Sequence, residues 1–178
     1  MKTIYITCLV LLGILQTGCR ENIEEYSGIA GIYFAMSAKY GGWNDSEEDY
    51  TSISDIPFAV DEREDTVLLV RAKIIGEVVG HDRAVSIRIV PQEDSETEAI
   101  EGSDFEPLLD TYYVKANEVY ANIPIHFYKK SDLKDKERIL KLELLPNKDF
   151  DTPMAEWLRP GSSDKKGIDV LHHTITIS

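Results

Sequence analysis

The sequence predicts an all-β chain folded as an antiparallel β-sandwich, carried behind a signal peptide and a short tether. Three observations lead there. From Thr66 onward, apolar and polar residues alternate in segment after segment, the pattern of strands with one buried face. Turn-rich loops separate these segments. No segment carries a long 3.6-residue period, and only Met154 to Arg159 suits a helical turn or two. Short alternating strands of this kind bury their apolar faces by stacking as two sheets.

The N-terminus reads as an export signal. Met1 and Lys2 give a positive start, Ile4 to Leu15 an apolar run, and Gln16-Thr17-Gly18 lead into Cys19. The run is about half of the roughly 20 residues that a bilayer-spanning helix requires. Small residues immediately before a cysteine suit the peptidase that cuts ahead of a diacylglyceryl cysteine, so residues 1–18 are expected to leave and Cys19 to be lipidated with acyl chains such as palmitate. Cys8 departs with the signal, so the mature chain holds a single cysteine and neither a disulfide nor a thiolate metal site is expected. Residues 19–30, polar and acidic with a Ser-Gly step, read as a tether, and residues 31–178 as the sandwich.

The formal net charge is -13. Such a surface repels phosphate backbones and anionic lipid headgroups, which argues against nucleic-acid binding.

Within the sandwich the first strand is expected at Gly31 to Ala35. Residues 36–55 hold few core positions and read as a long loop. Leu68, Val70, Ala72 and Ile74 share an inward face, Gly76 to Gly80 makes a turn, and Val85, Ile87 and Ile89 return, which suggests a β-hairpin. Tyr112 to Lys115 begins a second expected hairpin, whose partner buries Val119, Ala121, Ile123, Ile125 and Phe127 and turns Tyr120, Asn122, Pro124, His126 and Tyr128 outward. Pro124 marks an edge strand or a bulge, because proline has no N–H for a ladder. Leu140, Leu142 and Leu144 face in on the next strand. His173, Ile175 and Ile177 pattern a last strand, expected at a sheet edge where it would be open to pairing with another chain.

Several stretches taken together carry a likeness: GIYF at 31–34, PFAV at 57–60, DRAVSIRI at 82–89, GSDF at 102–105, IPI at 123–125 and LELLPNKDF at 142–150. They resemble a family of Bacteroidota lipoproteins, the domain-of-unknown-function 4843 family, over residues 28–150. The resemblance implies an accessory lipoprotein at the cell surface, beside the outer-membrane machinery that imports complex glycans. Glu21, Glu24 and Glu25 look like the surface-export signals of these bacteria, while Arg20 departs from them. Members of the family tend to continue past a region like residues 151–178, which the resemblance marks as an incomplete second part. Ala99, Gly102, Asp104 and Phe105 form an A-x-x-G-x-D-F pattern similar to Calx-beta domains, implying an immunoglobulin-like sandwich. Calcium does not follow, since Lys129 and Lys130 stand where those domains place acidic ligands.

Motifs with chemistry are few. The acidic runs Asp45–Asp49 and Asp94, Glu96, Glu98 lack the loop spacing of an EF-hand. His172 and His173 are adjacent on a strand and so point to opposite faces. No nucleophile elbow, zinc helix or phosphate loop occurs, and no enzyme, metal or dissociable cofactor is expected beyond the covalent lipid on Cys19. Aromatic residues outside the strand pattern are the better lead, because a sugar ring lays its C–H face on an aromatic ring while its hydroxyls bond nearby polar groups. Tyr40, Trp43 and Tyr50 in the long first loop, with Asn44 beside them, and Trp157 in the last one are the candidate ligand-binding residues. Each tryptophan could instead plug an end of the sandwich. The expectation is an outer-membrane lipoprotein facing outward, with polysaccharide and glycan-import proteins as partners. Its rival is an interaction lipoprotein that docks on an outer-membrane protein or assembles through an edge strand.

Overall fold

The computed structural model describes residues 28–36, 50–60, 62–94, 96–158 and 167–178. Among the described residues ten strands follow one another: β1 Gly31–Phe34, β2 Ile53–Ile56, β3 Asp65–Ile75, β4 Arg83–Ile89, β5 Tyr112–Val114, β6 Tyr120–Tyr128, β7 Arg138–Leu145, β8 Glu156–Trp157, β9 Ile168–Asp169 and β10 His172–Ile177. A single 3-10 turn, Ser131–Lys134, joins β6 to β7. The strands build a three-stranded sheet in the order β1-β3-β6 and a five-stranded sheet in the order β2-β10-β7-β4-β5, with β8 and β9 as a small ribbon. Among the described residues no helix is long and apolar enough to cross a membrane.

Period two decides the core. Val70 and Ala72 from β3 and Ile123, Ile125 and Phe127 from β6 meet Leu140, Leu142 and Leu144 from β7 and Ile175 and Ile177 from β10, all buried in one cluster. The inward set expected from the sequence is the observed one. At about 25 cal/mol per Å² of apolar surface removed from water, this interleaved layer is the main stabilising element.

The pairing of the strands differs from the expected one. β3 pairs antiparallel with β1 and β6, whereas β4 pairs with β5 and β7. The chain therefore crosses from one sheet to the other after Gly76, whose φ of 103° suits a residue without Cβ, and the expected β3–β4 hairpin does not form. It crosses back between β5 and β6, so the second expected hairpin is absent too. The physical reason is that alternation specifies which side of a strand is buried, and a strand with one buried side fits either sheet of a sandwich. The connection through residues 76–82 is also longer than common two- to five-residue hairpin loops.

Three further expectations are corrected. Ile53–Ile56, expected within a loop, is the strand β2, and it pairs with β10 in parallel. Met154 to Arg159 forms no helical turn in its described part; Glu156 and Trp157 pair with Ile168 and Asp169. β10 is not an edge strand, since β2 lies on one side of it and β7 on the other, so it offers no ladder to a second chain.

The family-like stretches have local structural work. Asn147 donates from Nδ2 to the Ala84 carbonyl at 2.9 Å and to Ser86 Oγ at 3.0 Å. Its Oδ1 accepts the N–H groups of Asp149 at 2.8 Å and Phe150 at 2.9 Å. Asp149 Oδ2 in turn accepts the Ala84 N–H at 2.9 Å, so the LPNKDF turn is clamped onto β4. In the Calx-beta-like pattern, buried Asp104 accepts the Ile100 N–H at 2.7 Å and Gly102 takes a φ of 78°. That carboxylate closes a tight turn.

Candidate functional site

β6 is the edge of the three-stranded sheet and β5 the edge of the five-stranded one. Because the chain crosses between sheets there, the two edges lie side by side, and the outward residues of β6 line a trough. The proximal half, nearest the start of β6, is a hollow of about 540 Å³ walled by Arg71, Tyr113, Lys115, Glu118, Tyr120 and Asn122. The distal half, about 270 Å³, is walled by Val67, Glu106, Pro107, Leu109, Pro124 and His126. Both halves share Leu109, Tyr112 and Pro124, so they adjoin along the strand.

Each wall has a local cause. Tyr113 sits between inward Tyr112 and Val114 and is turned out, 46% exposed. Tyr112, though buried, reaches the loop with its hydroxyl, which accepts the Leu109 N–H at 3.1 Å. The 115–118 turn is pinned by Asp82, which accepts from Lys115 Nζ at 2.7 Å and from the Ala116 N–H at 2.9 Å. The lysine, then the backbone bond, hold the Asp82 carboxyl below its usual range. Asn117 takes the left-handed φ of 64° that closes this turn, a region that Asn tolerates better than most residues. Pro124 has no N–H, which blunts the outer edge of β6 against strand addition.

The proximal half is aromatic and cationic. The Arg71 guanidinium lies 4.2 Å from the Tyr120 ring centroid, with Lys73 Nζ at 5.8 Å from the same ring. Lys115 Nζ lies 5.2 Å from the Tyr113 ring. All three distances lie under 6 Å with the cation over the ring, which fits cation–π attraction.

A polar cluster closes the distal half. Tyr128 donates its hydroxyl to Glu106 Oε1 at 2.8 Å, and His126 Nδ1 lies 3.1 Å from the same oxygen. Asp65 stands 3.6 Å from His126 Nε2. The bond from Tyr128 and then that from His126 lower the Glu106 carboxyl. Glu106 in turn raises the His126 imidazole and the Tyr128 phenol. Among the described residues no group of three His, Cys, Asp or Glu side chains is placed to hold a metal ion.

The residues singled out from the sequence lie elsewhere. Cys19, Tyr40, Trp43 and Asn44 fall outside the described residues. Tyr50 is 3% exposed, its ring 6.1 Å from Tyr33 and 5.5 Å from Trp157. This corrects its reading as a stacking surface: the ring fills a second apolar cluster with Tyr33, Ala35 and Val170, over the outer face of β1. Trp157, half-buried, packs against that cluster. The structure thus joins Tyr50 to Trp157, away from the trough. Tyr113 and Arg71 are not among the sequence candidates, and Tyr120, outward on the proline-marked strand with Tyr128, reads from the sequence as an ordinary strand residue.

The family model described as "Domain of unknown function (DUF4843)" matches residues 26–160. The chain belongs to this family. No curated protein matches it. Among solved structures, this member of the DUF4843 family is similar to a Bacteroides ovatus protein described as a candidate carbohydrate-binding protein, at 11% identity and a TM-score of 0.49, over 83% of this chain and 36% of that one. It is similar to a Bacteroides ovatus protein of unknown function at 10% identity and a TM-score of 0.47, over 84% of this chain and 51% of that one. A two-domain protein of unknown function from Bacteroides fragilis gives 11% identity and a TM-score of 0.41, over 84% and 45%. The chain thus spans between 36% and 51% of the length of these three structures.

Proposed function

We propose that this DUF4843 chain is a lipid-anchored lipoprotein of the outer membrane, facing outward, whose sandwich captures glycans for a polysaccharide uptake system. It is read as a binding module, with no reaction assigned. The observation that carries this is the proximal half of the trough. Tyr113 offers an exposed ring, and Asn122, Glu118, Arg71 and Lys115 stand around it with donors and acceptors. A sugar needs that combination, a flat apolar face and polar groups at its rim. Small-residue spacing before Cys19 supports the anchor, and Glu21, Glu24 and Glu25 support the outward face.

Binding of the domain lacking residues 1–18 to a panel of neutral and acidic polysaccharides tests the reading. Tyr113→Ala is expected to weaken glycan binding about tenfold or more, if stacking here is worth what buried aromatic contacts usually are, while leaving the unfolding midpoint nearly unchanged. Binding unaffected by Tyr113→Ala would remove the trough as the site.

A second reading has one observation of its own. Val67 is 55% and Leu109 63% exposed in and beside the distal half, which suits docking on an outer-membrane partner protein. Docking would then run through this face and not through β10, which is paired on both sides.

A further inference from the structure

We infer that the trough selects a glycan bearing carboxylates, a uronic-acid polymer, and seats one carboxylate on Arg71. This rests on the glycan reading above and names its substrate class. The chain has a formal net charge of -13, so cations gathered at one place run against its composition. They gather at the proximal half, where Arg71 and Lys115 line the hollow and Lys73 shares the Tyr120 ring with Arg71.

The geometry assigns Lys115 and Arg71 different parts. Lys115 is tied to Asp82 at 2.7 Å, so its ammonium is held toward that carboxylate at the 115–118 turn. The Arg71 guanidinium lies against Tyr120 at 4.2 Å, which restrains its plane before any ligand arrives. A planar, restrained guanidinium presents parallel N–H groups that match the two oxygens of a carboxylate, a match that a lysine does not make. Tyr113, across the hollow and exposed, is the surface for the sugar ring that carries the carboxylate.

The trough continues past Pro124 to Leu109 and Val67, so a polymer lies along β6 with only its proximal part over the cations. Glu106 at the far end, its oxygen engaged by Tyr128 and His126, disfavours a carboxylate there. Hence one acidic sugar is gripped at Arg71 and its successors pass over apolar floor. The global negative charge does not oppose this at contact range. Screening limits its reach to about 10 Å at 0.1 M salt, while the guanidinium acts within hydrogen-bond distance.

The test uses the chain from residue 19 onward, with de-esterified polygalacturonate, the same polymer after carboxyl reduction, and dextran sulfate as probes. Expected is binding of polygalacturonate that is about tenfold or more tighter than that of the reduced polymer and of dextran sulfate, and that weakens as salt is raised through a range in which the screening length falls below about 10 Å. Arg71→Gln is expected to bring polygalacturonate down to the reduced polymer's affinity, with the unfolding midpoint as the check on folding. Equal binding of both polymers, lost in Tyr113→Ala, would overturn the carboxylate inference and leave the glycan reading standing. No binding to any polysaccharide would remove the glycan reading first. Binding that survives Arg71→Gln but is lost in Lys134→Glu would place the anion at the lysines around the 3-10 turn and overturn the assignment to Arg71. Dextran sulfate bound as tightly as polygalacturonate would also overturn it.

Discussion

Acid is expected to weaken this fold through one residue, His173. Its side chain is 0% exposed on the inward face of β10, beside the Phe34 ring at 5.9 Å. Nε2 meets Ser54 Oγ at 2.9 Å, and Nδ1 has no hydrogen-bond partner among the described residues. Among the described residues no carboxylate lies beside it to stabilise its cation, and burial pushes the imidazole down to about 4, against about 6.5 in the unfolded chain. The unfolded state therefore binds more protons between these values. Stability is complete above the unfolded value and is lost as pH falls from about 6.5 toward 4. Linkage over this interval gives a loss of about 2 kcal/mol by pH 5 and about 3 kcal/mol in full. His126 acts in the opposite sense, because its raised imidazole adds stability at low pH that is lost as pH rises. The measurement is therefore differential: urea unfolding of the parent and of His173→Leu at pH 7.5 and pH 5, in which His126 and every carboxylate cancel. The parent should lose about 2 kcal/mol more than the variant, the single-site linkage figure. If His173→Leu does not fold, His173→Gln serves, since it does not titrate either. Parallel losses in parent and variant would refute the claim that a neutral buried imidazole is what acid attacks.

The remaining expectations are briefer. Asn147→Ala removes four hydrogen bonds, two that tie the LPNKDF turn to β4 and two that close the turn itself, and should cost about 2 to 4 kcal/mol in chemical unfolding at roughly 1 kcal/mol per bond; a loss below about 0.5 kcal/mol, the size of an ordinary surface substitution, would show the clamp to be incidental. Hydrogen exchange should protect the β10 amides of residues 173–177 as strongly as those of β4, because β10 is paired on both sides; fast exchange across β10 would contradict its interior position. Cys19→Ala should abolish palmitate labelling and release the protein from the membrane fraction, and a variant that still labels would refute lipidation at this cysteine.

Much of the fold was legible because burial is a property of one strand at a time. The inward sets of β3, β6, β7 and β10 follow from alternation alone, and Pro124 announced an edge before any partner was known. Pairing was not legible, because it is a relation between strands. β3 and β4 each have one apolar side, and nothing in Leu68 to Ile74 or Val85 to Ile89 says which sheet each joins. β2 was hidden for a related reason: Ile53–Ile56 is four residues long with only Ile56 buried, too short to establish a period. β10, patterned correctly, was misplaced at an edge because its parallel partner lay in what read as a loop.

The candidate site inherits that limit. Tyr113, Tyr120 and Arg71 come from β5, β6 and β3, and two of these strands are edges of different sheets. They converge only because the chain leaves β4's sheet after β5 and enters β3's sheet at β6. Had residues 112–128 formed the expected hairpin, β5 and β6 would be neighbours in one sheet and hydrogen bonds would fill the space that is now a trough. The crossing that defeated the hairpin reading is therefore the same feature that opens the hollow. Conversely, Tyr50 and Trp157 attracted attention because they lie outside any strand pattern, yet a ring in a loop is still free to cover an exposed sheet face, and the outer face of β1 with Tyr33 is where these two went. In a sandwich of this size an aromatic residue off the strand pattern marks unfilled surface as readily as a ligand, and what separates the two is whether a second element already covers the ring. β8 and β9 cover Tyr50, and no described element covers Tyr113.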